Sequence, residues 1–140
     1  MTDYLVDKSA LARWGNPSVG RVLDDFSDRG VLATCAAVEW EMVYSARNKP
    51  DMARIRFLLR GFNFLYCGDE VFERVLEVQG VALERGFHRA LSMADLLIAA
   101  TAERHRATVL HYDGDFDMVA SITGQPTQWV VPTGTADRVL

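Results

Sequence analysis

Residues 92–115, SMADLLIAATAERHRATVLHYDGD, decide the fold. Their first part has an apolar middle, Leu96-Leu97-Ile98-Ala99-Ala100, and the span 92–105 predicts a helix too apolar for the surface. Thr108 to His111 then reads as a short buried strand, and it runs straight into Tyr112-Asp113-Gly114-Asp115. A buried helix feeding a buried strand is the repeating unit of a parallel sheet covered on both faces. In such sheets ligands bind beyond the carboxyl ends of the strands, which is where the acids fall.

The same pattern extends outward. Strands are expected at 4–6, 31–34, 62–66, 108–111 and 128–131. Helices are expected at 9–14, 18–29, 36–47, 51–60, 69–84 and 92–105, with Gly15-Asn16-Pro17 and Asn48-Lys49-Pro50 read as breaks. Strands alternating with helices give an α/β class. The 140 residues carry no repeat or low-complexity run, so one domain over 1–140 is expected.

Composition narrows the function. Hydrophobic residues make up 49% and charged residues 24%, which excludes disorder. No run approaches the length of a membrane span, and Met1 to Asp7 lacks the basic start of a signal peptide, so a cytoplasmic protein is expected. Cys35 and Cys67 form no CxxC pair and read as small buried hydrophobes in a reducing compartment. A net charge of −4 argues against coating nucleic acid through bulk positive charge, but not against a local basic patch. The basic stretch is 47–60, where Arg47, Lys49, Arg54, Arg56 and Arg60 face a single acid, Asp51. It reads either as a solvated helix face or as a rim for phosphates or an acidic partner, and Lys8 and Arg13 extend it.

Carboxylates carry the chemistry. Asp7 ends the first strand and Asp113 follows the fourth, so two strand ends deliver acids to one edge. Asp95 sits three residues after Ser92 in a capping-box spacing, yet it heads an apolar face where a carboxylate is poorly solvated without a cation or donor. Of Glu39 and Glu41, one is expected to point inward; periodicity does not say which. Hard oxygen donors of this kind suit Mg²⁺, with Mn²⁺ as a substitute, rather than zinc. An EF-hand loop is excluded by glycine placement, a nucleophile elbow is absent, and His88, His105 and His111 show no ligand spacing and read as structural or surface residues.

Tyr4-Leu5-Val6-Asp7-Lys8-Ser9-Ala10 resembles the opening of the PIN-domain ribonucleases, particularly the VapC-type toxins of bacterial toxin–antitoxin pairs. Glu41 to Arg47, Ala94 to Ala102, and Val109 to Phe116 resemble the family's later acidic motifs, in order, and the resemblance selects Glu41 over Glu39. It implies a three-layer α/β/α PIN-like domain with a five-stranded parallel sheet and a metal-dependent endoribonuclease. Asp7, Asp95 and Asp113 match the metal-holding positions, with Asp115 as a supporting ligand. Glu41 would bind metal through water or orient the attacking water, and Ser9 would bond a carboxylate or a phosphate. The resemblance further implies structured RNA such as tRNA or rRNA as substrate, and a homodimer that joins a VapB-like antitoxin in a heterotetramer or larger assembly. The antitoxin's groove would use Trp14, Trp40 and Phe57. Two other classes stand beside this reading: a catalytically silent PIN-like binding module, and a receiver-like phosphoacceptor domain.

Overall fold

The computed structural model describes residues 2–139. Its five strands, β1 (Tyr4–Val6), β2 (Leu32–Thr34), β3 (Asn63–Phe64), β4 (Thr108–His111) and β5 (Thr127–Trp129), form one sheet in the order β3-β2-β1-β4-β5. Every pairing is parallel, with Leu5 opposite Ala33 on one side and Val109 on the other. Leu5, Val6, Ala33, Val109 and Leu110 are fully buried, so β1 and its neighbours are apolar on both faces, as the absence of alternation anticipates.

Seven helices cover the sheet among the described residues: α1 (Lys8–Leu11), α2 (Pro17–Asp28), α3 (Ala36–Tyr44), α4 (Lys49–Leu59), α5 (Asp69–Glu84), α6 (Met93–Arg104) and α7 (Asp115–Thr123). From β1 the chain steps outward to β2 and β3, then crosses back to β4 and β5 on the far side. Because parallel crossovers are right-handed, this reversal puts the early and late helices on opposite faces and gives the three layers. α6 lies against β4 and packs with α5 and α7, and α2 lies against β2. The reversal falls between β1 and β4, and their carboxyl ends border the crevice it opens.

Several boundaries differ from the sequence reading for identifiable reasons. Asn16 and Asn48 are N-caps, their side chains accepting the amides of Ser18 and Asp51. Pro17 and Pro50 therefore open α2 and α4 rather than closing what precedes them, the position at which a missing N–H costs nothing. The helix expected to 47 stops at Tyr44. β3 is two exposed residues at the sheet edge rather than five. Helix α7 has no counterpart in the sequence reading; Asp115 and Asp117 occupy its first turn, where acids favour a helix N-terminus, and Gly124 closes it at φ 71°.

Gly20 lies inside α2, where alanine would ordinarily add about 1 kcal/mol of stability. Here a Cβ would come within 2.9 Å of the Trp14 carbonyl oxygen. Gly20→Ala is therefore expected to lower the urea midpoint; a raised midpoint would show that the approach of α2 to residue 14 is not tight.

Candidate active site

Each acid arrives from a different element. Asp7 follows β1 and caps α1: its Oδ2 accepts the Ser9 amide at 2.9 Å, while its own amide continues the ladder to Leu110. Asp95 rides on the first turn of α6, held by a bond from its amide to the Ser92 hydroxyl oxygen at 3.0 Å, as the capping-box spacing anticipates. Asp113 and Asp115 come from the turn after β4, where the Asp115 amide donates to Asp113 Oδ1 at 2.9 Å. Glu41 projects from α3.

The elements bring these acids together in two groups that share Asp95. Asp7, Glu41 and Asp95 each offer an oxygen within 4.8 Å of the others, and so do Asp95, Asp113 and Asp115. Glu39 instead approaches Arg56 of α4 at 3.8 Å, so Glu41 is the inward acid of that pair. Asp7, Lys8, Ser9, Arg13, Glu41, Asp95 and Asp113 line one open pocket of about 290 Å³.

The electrostatics are those of a site built for a cation. Asp7 is only 3% exposed, and its Oδ1 is buried without a hydrogen-bond partner. Burial pushes its pKa up, opposed by the bonds from Ser9 and reinforced by Glu41 and Asp113. Asp95, 8% exposed, is pushed up to about 7, first by burial and then by the charges of Asp7 and Asp113. Asp115 is raised for the same reasons, burial first and then Asp113. A buried carboxylate oxygen with no donor is costly, and a divalent cation is the partner that oxygen-only surroundings accommodate. The residues present therefore fit a hard metal ion.

The basic residues divide into two sets. Lys8 reaches the Ser45 hydroxyl across the pocket mouth. Arg13 is committed to the Ala136 and Ser9 carbonyls at 2.7 and 2.8 Å and lies over the Tyr112 ring. Arg47, Arg54 and Arg56 do not line the acid pocket: Arg47 and Arg54 pair with Asp51, and Arg56 with Glu39.

The PIN domain family matches residues 4–122 of the chain. "Ribonuclease VapC21" of Mycobacterium tuberculosis is 41% identical over 136 residues, covering 96% of this chain and 99% of that protein. The chain belongs to the PIN-domain family, in its VapC branch. The fold agrees: DNA-bound VapBC from Salmonella typhimurium superposes with a TM-score of 0.76 at 12% identity, over 94% of this chain and 100% of that one. Mycobacterium tuberculosis VapC20, described as a sarcin-ricin loop cleaving toxin, gives 0.63 at 19% identity, over 83% and 94%. Membership of this family displaces the receiver-like alternative.

Around the PIN-domain acids, two supporting residues escaped the sequence reading. Tyr112 joins the end of β4 to the C-terminal segment: its hydroxyl donates to Asp137 at 2.7 Å and accepts the amides of Gly134 and Ala136. His111, read only as structural or surface, is fully buried and accepts the Asp113 amide on Nδ1 at 3.1 Å. Burial pushes its pKa down, so the ring is neutral with its proton on Nε2. Its place as the last residue of β4, two before an acid, was the available signal. Cys35 is buried as expected, whereas Cys67 is half-buried on an apolar pocket wall.

The shifts fix a pH dependence. Asp95 loses its proton near its ordinary 3.8 when unfolded and near 7 when folded. The metal-free native state thus holds a proton that the unfolded chain has lost, and its stability falls as pH rises through that window. Asp7 and Asp115 act in the same direction. The thermal midpoint in EDTA should drop between about pH 4 and about pH 7, and Asp95→Asn should flatten the drop; an equal drop in the variant would remove Asp95 as its source.

Proposed function

We propose that this VapC-family ribonuclease cuts structured RNA, such as tRNA or an rRNA loop, with a Mg²⁺-dependent site made by Asp7, Glu41, Asp95, Asp113 and Asp115. The observation that carries the reading is the buried, unpartnered Oδ1 of Asp7 within a group of carboxylates, where burial first and neighbouring acids second raise the pKa values of Asp7 and Asp95. Asp7, Asp95 and Asp113 would hold the ion, Asp115 would support them, and Mn²⁺ would substitute. Bound there, the ion supplies Lewis acidity toward the scissile phosphate and relief of its growing charge.

The chain's own groups do the rest. Glu41, half-buried beside Asp7 and Asp95, is placed to orient the attacking water and take its proton. Ser9 ties the two strand ends together, its amide on Asp7 and its hydroxyl oxygen on the Tyr112 amide at 2.8 Å, which fixes the spacing between acids. Lys8 at the pocket mouth offers a phosphate contact. In-line hydrolysis of this class leaves a 5′-phosphate and a 3′-hydroxyl.

The chain acts as one domain over 1–140: Ala136 is buried, and the bonds from Arg13 and Tyr112 bind the segment after β5 to the site. We place the protein in the cytoplasm, where RNA is found; among the described residues no helix is long and apolar enough to cross a membrane. Growth arrest by translation block, until an antitoxin neutralises the enzyme, is the cellular outcome.

A VapB-like antitoxin is the proposed partner. A groove of about 700 Å³ lined by Trp14, Arg54, Phe57, Leu58, Arg60 and Phe62 combines exposed apolar surface with cations, which suits an amphipathic, acidic segment. Phe57 is 78% exposed there. Trp40, also exposed, lies on a different pocket wall with Phe72 and Met93, a face that suits the proposed second copy better than the antitoxin. Arg47, Arg54 and Arg56 serve RNA or antitoxin contact in this reading.

Purified, antitoxin-free protein incubated with total bacterial RNA should give discrete fragments in Mg²⁺ and none in EDTA. Asp7→Asn and Asp95→Asn should reduce cleavage to background while preserving the fold. Intact RNA, from a folded and metal-bound protein, would favour the catalytically silent binding module. Phe57→Glu should leave cleavage unchanged but weaken capture by a VapB-like antitoxin about tenfold or more; unchanged capture would clear the groove of that role.

A further inference from the structure

The turn after β4 is built from two successive side-chain-to-backbone bonds. His111 Nδ1 accepts the Asp113 amide at 3.1 Å, and Asp113 Oδ1 then accepts the Asp115 amide at 2.9 Å. The first link is anchored in the core. The imidazole is fully buried, with its ring 5.1 Å from those of both Phe116 on α7 and Trp129 on β5. The His111 backbone is pinned as well, through register with Trp129 and a 2.8 Å bond from the Val130 amide to its carbonyl. A polar ring packed against two aromatic rings is otherwise unexplained: its Nε2 is buried with no partner, a cost that a phenylalanine or leucine would avoid. The one thing histidine adds here is the acceptor.

We infer that His111 is a positioning residue of the acid site, its Nδ1 holding the Asp113–Asp115 turn in the conformation that presents both carboxylates toward Asp95. The inference rests on the proposed metal site. The acceptor orients the backbone at Asp113, Asp113 in turn orients Asp115, and one core ring therefore sets two of the three oxygens in the group around Asp95. Neither carboxylate touches the imidazole in any bond of this turn, so the effect passes through the amide alone.

Two substitutions separate the acceptor from the packing. His111→Phe keeps a ring between Phe116 and Trp129 but orphans the Asp113 amide. His111→Asn keeps an acceptor one bond beyond Cγ, as Nδ1 is, but surrenders the ring. Mn²⁺ affinity, from electron paramagnetic resonance of the free ion, and the urea midpoint are measured on the purified chain, with Asp113→Asn as the ligand-loss control. The expected result is a crossing of the two orders. His111→Phe should bind Mn²⁺ about tenfold or more weakly with the smaller loss of stability, and His111→Asn should bind near wild type with the larger loss. Affinities that follow stability, with Asn the weakest binder, or a His111→Phe affinity equal to wild type, would overturn the inference. If the wild-type chain itself takes no Mn²⁺, the metal site fails and the inference with it; wild-type binding unaffected by either variant removes the inference alone.

Discussion

Burying Asp7 at the carboxyl end of the central strand sets the terms for the rest of the molecule. β1 is flanked on both sides, its apolar residues leave no route to water, and the carboxylate that follows has one oxygen satisfied by Ser9 and one by nothing. Three more elements then add acids instead of donors: α3 with Glu41, α6 with Asp95, and the β4 turn with Asp113 and Asp115. Without a cation the arrangement opposes folding, because each charge raises the cost of the next. The apolar core of Leu5, Val6, Ile98, Leu110 and Phe116 offsets that cost and keeps the acids from moving apart.

The topology makes the convergence possible. Reversal of strand order between β1 and β4 opens a crevice whose two banks end in Asp7 and Asp113, and the N-terminus of α6 brings Asp95 to the same place. Side-chain hydrogen bonds support the convergence: Ser9 bridges the banks, His111 anchors one of them, and Tyr112 with Arg13 fastens the C-terminal segment. The groove of Trp14 and Phe57 shares no lining residue with the acid pocket. In the proposed function, catalysis and partner recognition would therefore draw on different parts of the domain.

Much of this was legible in the residues. β1, β4 and α5 have the predicted bounds because each is closed by an unambiguous signal: Asp7, the Tyr112-Asp113 turn, and Gly86. Asp7, Asp95 and Asp113 were legible as candidates since each follows a strand or heads a helix, whereas Glu41, inside α3, was told from Glu39 only by the resemblance. What failed was punctuation. Pro17 and Pro50 look like stops, but a proline preceded by a capping asparagine is a start. Helix α7 was hidden by its own first turn, whose aspartates resemble loop ligands until Phe116 and Val119 are seen buried on one face. Pairing of Arg56 with Glu39 was beyond reach as well, because it joins two helices whose relative placement no local pattern encodes. The acceptor role of His111 needed the ring's neighbours from α7 and β5.

A divalent cation held at Asp95 by oxygens of the two groups it joins is the one occupant that would relieve the mutual repulsion of these carboxylates. The most direct measurement is anomalous scattering from crystals of the chain soaked in Mn²⁺. A peak is expected within bonding distance of Asp95 and of acids in one or both of its groups, lost in Asp95→Asn. An empty pocket at saturating Mn²⁺, with the acids in the same positions, would contradict it.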